Sequence, residues 1–277
     1  MNITYKILLL FTLVSCNRII PSIPNLHIAA AQNQLTEVNF LIENGTNINL
    51  KDTNGWTPLH HAAVRGYREV VNFLIKNGAN INLQDKSGEA PLHLATRTNH
   101  REILNLLIEN DAKINLKNNN GATPLHLATQ ENNQESVDFL LKKGAKINLQ
   151  SNDGNTPLHY AALQGYRKIL NSLIKAHASI NLQSNDGFTP LHYAVARGNQ
   201  KILHSLIENG ANINLKADNG WTPLHYAAQE NHPDIVYLLL EKGSNRDIRN
   251  NAQQKAADMT TNPVIKGMLQ FDARSHI

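Results

Sequence analysis

The sequence predicts an all-α repeat solenoid: a stack of helix-turn-helix units joined by projecting β-turn or hairpin loops. Three observations carry this reading. Thr-Pro-Leu-His recurs at Thr57–His60, Thr123–His126, Thr156–His159, Thr189–His192 and Thr222–His225, with the near copy Ala90-Pro91-Leu92-His93, and successive starts lie 33 residues apart without insertion or deletion. Each copy closes on Gly or Asn, at Gly66, Asn99, Asn132, Gly165, Gly198 and Asn231. A second helix-period apolar segment then follows and ends at a glycine in most units. Such a period outranks any segment-by-segment reading, and units of this kind bury their apolar faces only by stacking on one another.

The unit within residues 55–83 shows why each element forms. Thr57 suits an N-cap, where its hydroxyl can accept from a free backbone N–H. Pro58 fits the first helical position, which needs no N–H and whose φ the ring already supplies. Leu59, Ala62 and Ala63 share a face at spacings of three and four. The Gly or Asn that closes this helix tolerates the left-handed conformation of a helix end. Val70, Val71, Phe73, Leu74 and Ile75 then give the second helix its apolar stripe. It stops at Gly78, and its counterparts stop at Gly45, Gly144, Gly210 and Gly243. Asp111 and His177 take that place in two units, where a β-carbon costs about 1 kcal/mol. Between units, Ile81 anchors the loop and Gly88 makes the turn.

Full repeats are set near 51–83, 84–116, 117–149, 150–182, 183–215 and 216–248, within a repeat region of residues 24–271. The first and last of about eight units are degenerate: Pro24-Asn25-Leu26-His27 lacks the preceding turn, and Lys255-Ala256-Ala257-Asp258 replaces the signature. They are expected to act as caps, with faces altered for solubility. Pro263 opens a further short helix. At about 8–10 Å per packed helix, the array should span roughly 70–80 Å. Residues 17–23 read as a linker and 272–277 as a tail.

Residues 1–16 differ from the rest of the chain. Lys6 is their only charge, Ile7–Val14 is apolar apart from Thr12, and Ser15-Cys16 comes next. A basic start with so short an apolar run reads as an export signal, since spanning a bilayer takes about 20 apolar residues. Cys16 is the only cysteine, which excludes a disulfide within the chain. Aromatics are 5% of residues and the formal charge is +4, with no basic stripe to suggest nucleic acid. Asparagine occurs 38 times, mostly in turns and at helix ends, and receives no function on that ground.

Period, signature, small-residue first helix and the Gly-Ala-x-Ile-Asn tail of the second helix together resemble the ankyrin repeat, over nearly all of residues 24–271. Leu13-Val14-Ser15-Cys16 likewise resembles the lipobox of bacterial lipoproteins, which implies lipid attachment at Cys16 and a place in the bacterial cell envelope. A plain cleaved signal, giving a secreted or periplasmic protein, and a retained cytoplasmic segment are the other readings.

The histidines His60, His93, His126, His159, His192 and His225, with His27, occupy one signature position. Equivalent places in neighbouring units lie about 10 Å apart, whereas zinc holds imidazole nitrogen at about 2.0–2.1 Å, so adjacent rungs share no metal. The ankyrin resemblance implies a structural role for them, tying repeats by hydrogen bonds, together with Thr57, Pro58 and Leu59. No nucleophile elbow, phosphate loop or zinc-protease motif occurs, so neither enzyme activity nor a cofactor is expected.

Recognition remains. The family uses turn tips and the concave face of the first helices, and here those positions vary between units. Trp56, Arg65, Glu89, Arg97, Phe188, Arg197, Trp221 and Glu230 are the candidate protein-binding residues, with aromatics and arginines the best anchors. Tyr160, Tyr193 and Tyr226 follow the signature histidine, either as a ligand-facing ladder or as packing between repeats. The expectation is a monomeric, exported and lipid-anchored scaffold for a protein partner, touching membrane only through its anchor. A protective envelope component and an intracellular regulator are the alternatives.

Overall fold

A computed structural model describes residues 25–270 of the chain; the expected signal, Cys16, the linker and the tail lie outside them. Seven helix pairs run along the described residues. They are α1 (Leu26–Ala31) with α2 (Leu35–Glu43), α3 (Pro58–Arg65) with α4 (Arg68–Lys76), and α5 (Pro91–Arg97) with α6 (Arg101–Glu109). Next come α7 (Pro124–Gln130) with α8 (Gln134–Lys142), and α9 (Pro157–Gln164) with α10 (Arg167–Lys175). The last are α11 (Pro190–Ala196) with α12 (Gln200–Glu208), and α13 (Pro223–Gln229) with α14 (Pro233–Glu241). A 3-10 turn, Ala256–Met259, and α15 (Pro263–Gln270) form the remnant of an eighth pair. No strand occurs among the described residues.

Each first helix packs on its own second helix and on the first helix of the next unit, and second helices touch one another more lightly. Alanines make the tight first-helix contact possible: Ala62, Ala63, Ala95, Ala128, Ala161, Ala162, Ala194, Ala227 and Ala228 have no exposed surface. The connecting loop folds back as a β-turn, with Gly88 N–H donating to Asp85 O at 3.0 Å and Asp85 N–H to Glu89 O at 2.9 Å. Turns are tied to turns by main-chain bonds such as Asn119 N–H to Ser87 O, 3.0 Å, and Asn152 N–H to Asn120 O, 2.9 Å. At Gly121 (φ 71°) a β-carbon would lie 2.6 Å from the backbone nitrogen of Asn152, so this glycine serves close approach as well as the turn.

Both helix-end rules show in the backbone. Asn33, Asn99, Asn132 and Asn231 have positive φ alongside Gly66, Gly165 and Gly198. Asp111 (φ 69°) and His177 (φ 64°) hold the same strained conformation that glycine adopts in the other units.

Asparagine proves to be structural glue. Asn49, Asn82, Asn115, Asn148, Asn181 and Asn214 recur every 33 residues, and each side-chain oxygen accepts a backbone N–H of the following unit at 2.8–2.9 Å. A second ladder donates: the amides of Gln84, Gln150 and Gln183 and the ammonium groups of Lys51, Lys117 and Lys216 bond the carbonyl 33 residues ahead. Loop backbone that would otherwise go unpaired is satisfied from one unit to the next.

Two expectations are corrected. The threonine hydroxyl does not cap a backbone N–H; it lies 2.8 Å from the ring of the signature histidine, as in Thr57 with His60. Nor does the first unit present a polar capping face: Ile28, Phe40 and Leu50 are more than two-fifths exposed. In inner units the same helix places include buried Leu94, Leu127 and Phe139.

Candidate functional site

The signature histidines set the frame of the variable front. In His60, Nε2 lies 3.0 Å from the Glu89 carbonyl, and Nδ1 lies 3.1 Å from the Thr57 N–H. A carbonyl only accepts and an N–H only donates, so the neutral ring carries its proton on Nε2. Nδ1 then accepts from both the Thr57 amide and its hydroxyl. His126, His159, His192 and His225 repeat this, reaching the carbonyls of Asn155, Phe188, Trp221 and Gln254 at 3.1–3.3 Å. His93, beside Ala90, lacks the hydroxyl and bonds the Leu116 carbonyl at 2.9 Å. With both nitrogens committed, these rings have no lone pair for a metal. At the degenerate end Asp258 takes the histidine's part, accepting from Lys255 N–H at 2.8 Å.

Burial pushes His60, His93, His126, His159 and His192 down to about 4, although the carbonyl partners pull the other way. His225 shifts in the same direction. Most of the carbonyls they hold belong to the variable residues just before Thr-Pro, so the repeated frame directly positions the side chains Glu89, Asn155, Phe188 and Trp221.

In the units covering 51–116 the front is a network of polar groups bonded to one another, although the buried Nδ1 of His61 has no hydrogen-bond partner. Trp56 stacks over His60 at 6.3 Å and meets His61 at 5.0 Å, and its indole N–H donates to Asp85 of the next unit at 2.9 Å. His61 donates from Nε2 to Asp52 at 2.9 Å. Burial outweighs that carboxylate and lowers the His61 pKa, so at pH 7 a neutral imidazole donates to an ionised carboxylate. Burial raises the Asp52 carboxyl, but N–H bonds from Trp56 and Asn54 and the bond from His61 hold it below its usual value. Glu89 is not free for a partner: it is 6% exposed and pairs with Arg97 at 2.6 Å. Burial raises its pKa despite that arginine. Arg97 itself is exposed and reaches Glu131 at 3.7 Å.

In the units covering 150–248 the front is aromatic. Tyr160, Tyr193 and Tyr226 each meet edge-on the histidine of the preceding unit, at 6.0, 5.9 and 5.8 Å. Phe188 lies 5.3 Å from Tyr193 and 5.2 Å from Tyr226, and Trp221 lies 4.8 Å from Tyr226. Phe188, Tyr193, Trp221 and Tyr226 thus form one continuous half-buried row across two units, with Tyr160 separate in the unit before. Unlike Trp56, Trp221 has no partner for its indole N–H among the described residues. Arg65, Arg197 and Glu230 are exposed at the far ends of their first helices.

The tyrosines therefore do pack between repeats, and they also extend the half-exposed row. Two features escaped sequence reading. The Asn and Gln/Lys ladders carry a 33-residue signal that was present in the sequence. The seating of Glu89 under Arg97 has no such signal.

Stacked helix pairs, a fixed histidine frame and a variable front define an all-α repeat solenoid built for surface contact. The family model for ankyrin repeats, in three copies, matches residues 26–118, 113–184 and 165–252. This chain belongs to the ankyrin-repeat family. Ankyrin repeats generally act as non-catalytic scaffolds that bind protein partners. No curated protein matches the chain.

Proposed function

We propose that this protein is a non-catalytic scaffold that grips a protein partner with the aromatic front of residues 150–248, and that it works exported and lipid-anchored at a bacterial envelope. The row Phe188, Tyr193, Trp221 and Tyr226 carries the recognition half of this reading. Its rings pack on one another and on the histidine frame while keeping part of their surface in solvent. Rigid, half-exposed aromatics lose little side-chain entropy on binding and supply large contact area, the usual make-up of an interface hot spot. Trp56 is tied by its own N–H to Asp85 and serves the stack instead.

Export rests on Lys6, the short apolar run Ile7–Val14 and Leu13-Val14-Ser15-Cys16, with Cys16 the only cysteine of the chain. Among the described residues no helix is long and apolar enough to cross a membrane.

Two measurements test it. Mass spectrometry of the mature protein should find an N-terminus at Cys16 bearing a diacylglyceryl group; intact Met1 would overturn export. Affinity capture should lose the partner on Phe188→Ala with Trp221→Ala and keep it on Trp56→Ala. Equal capture by all three proteins would remove the rings from the binding surface.

A further inference from the structure

The two parts of the front also use their carboxylates differently. Asp52, Asp85 and Glu89 are each engaged inside the protein, by His61, Trp56 and Arg97. Asp153, Asp186 and Asp218 stand exposed on the turn tips of three consecutive units, beside the aromatic row. Among the described residues no hydrogen bond or ion pair engages these three carboxylates.

Neighbouring residues of the same turns meet the rings. Asp186 precedes Gly187 and Phe188 in the turn, and its charge acts, behind the larger effect of burial, on both Tyr193 and Tyr226. The Tyr226 hydroxyl accepts from Asn219, next to Asp218, at 2.9 Å. The Tyr160 hydroxyl lies 3.4 Å from Ser151 Oγ at the base of the tip that carries Asp153. Of the basic groups in this stretch, Lys216 donates to the Arg249 carbonyl at 2.9 Å, and Arg197 follows α11 at the opposite end from Asp186.

We infer that the partner presents spaced lysine or arginine side chains on an extended segment, which lies along the aromatic row with its cations between the rings and the tip carboxylates. This rests on the reading of that row as the binding surface. A cation over an aromatic face gains from the ring quadrupole, and the unpaired carboxylates complement its charge. The pitch fits: units stack at about 10 Å, and an extended chain advances about 3.3 Å per residue, so every third side chain meets a new tip. An acidic segment or a nucleic acid would meet like charge at all three tips.

The test uses the whole chain and a fluorescein-labelled peptide of repeating Arg-Ala-Ser, about twelve residues long to cover three units. Gln-Ala-Ser and Glu-Ala-Ser peptides of the same length serve as comparisons, all read by fluorescence anisotropy. The arginine peptide should bind at least about tenfold more tightly than the glutamine one, and raising salt from about 50 to 500 mM should weaken it. Asp153→Asn, Asp186→Asn and Asp218→Asn together should remove about tenfold of affinity for the arginine peptide. That variant should fold, because Asn119, Asn152 and Asn185 already occupy the place of Asp218, and Asn54, Asn120 and Asn219 that of Asp153 and Asp186.

No binding of the arginine peptide, equal binding of the glutamine peptide, or an unchanged triple variant each overturns the inference. If Phe188→Ala with Trp221→Ala weakens the peptides while the triple Asp→Asn variant does not, the binding surface stands and its preference for cations falls. If neither set of substitutions matters, both fall.

Discussion

Arg65 and Arg197 occupy the same place in units four repeats apart, both exposed at the far end of a first helix, yet they look onto different fronts. In the units around Arg65, the carboxylates of the front have partners inside the protein: Asp52 with His61, Asp85 with Trp56, Glu89 with Arg97. In the units around Arg197, the turn end of the frame carries a row of rings flanked by carboxylates with no partner among the described residues. One backbone thus supports two arrangements of side chains, the first holding units together and the second left open. Engagement of the carboxylates distinguishes them; exposure alone does not.

The core also divides. Apolar clusters cover the first three units and the last five, and where they meet lies a seam of buried polar groups. Thr96, Thr129 and Ser136 have no exposed surface. The threonines bond back to Leu92 and Leu125 carbonyls at 2.7 and 2.9 Å, Ser136 bonds Asn99 at 2.7 Å, and Asn133 bonds the Thr96 and Arg97 carbonyls at 3.2 Å. Each group is satisfied, but the seam has less apolar contact than the interfaces on either side.

Acid gives the largest expected effect and tests what the two regions share. The signature histidines on both sides are buried neutral, with pKa near 4 against 6.5 for a free ring. The unfolded chain therefore binds more protons between these values. Their stabilisation is full above about pH 6.5 and is lost as pH falls toward 4, by on the order of 3 kcal/mol per ring. Five such rings exceed the stability of a typical domain. Single-tryptophan variants Trp56→Phe and Trp221→Phe, each reporting one region by fluorescence, should both unfold inside that window. A region that stays folded at pH 4 would show its histidines are not so buried.

Tyr226→Ala removes contacts with His192, Phe188 and Trp221 and should cost about 2 kcal/mol in urea unfolding. The equivalent His61→Ala, in the polar region, should cost about 1 kcal/mol. Equal costs would dissolve the contrast between the fronts. At the seam, the two tryptophan reporters should show separate urea midpoints. Thr96→Val with Thr129→Val should draw them together by about 1 kcal/mol, as apolar surface replaces hydroxyls already satisfied within their own helices. Smallest are Asp111→Gly and His177→Gly, one in each region, which relieve a left-handed β-carbon and should each raise stability by about 0.5–1 kcal/mol.

The fold was legible because its determinants are local and recur: proline at the helix start, Gly or Asn at a left-handed end, alanine where helices approach. Each can be compared with its own copies 33 residues away. The front was legible only as a set of variable positions. Whether Glu89 faces solvent depends on Arg97 eight residues on and on packing against Asn118 in the next unit, and no spacing encodes that. Thr57 does stand at the N-cap, as the helix start requires, but its hydroxyl goes to the ring of His60 one helical turn on.

The most direct test places a photo-crosslinking side chain at Arg65 or at Arg197, in otherwise identical exported protein, and compares adducts with the captured partner. The account predicts a strong adduct from position 197 and little from position 65. Adducts of equal yield, or a stronger one from position 65, would contradict it.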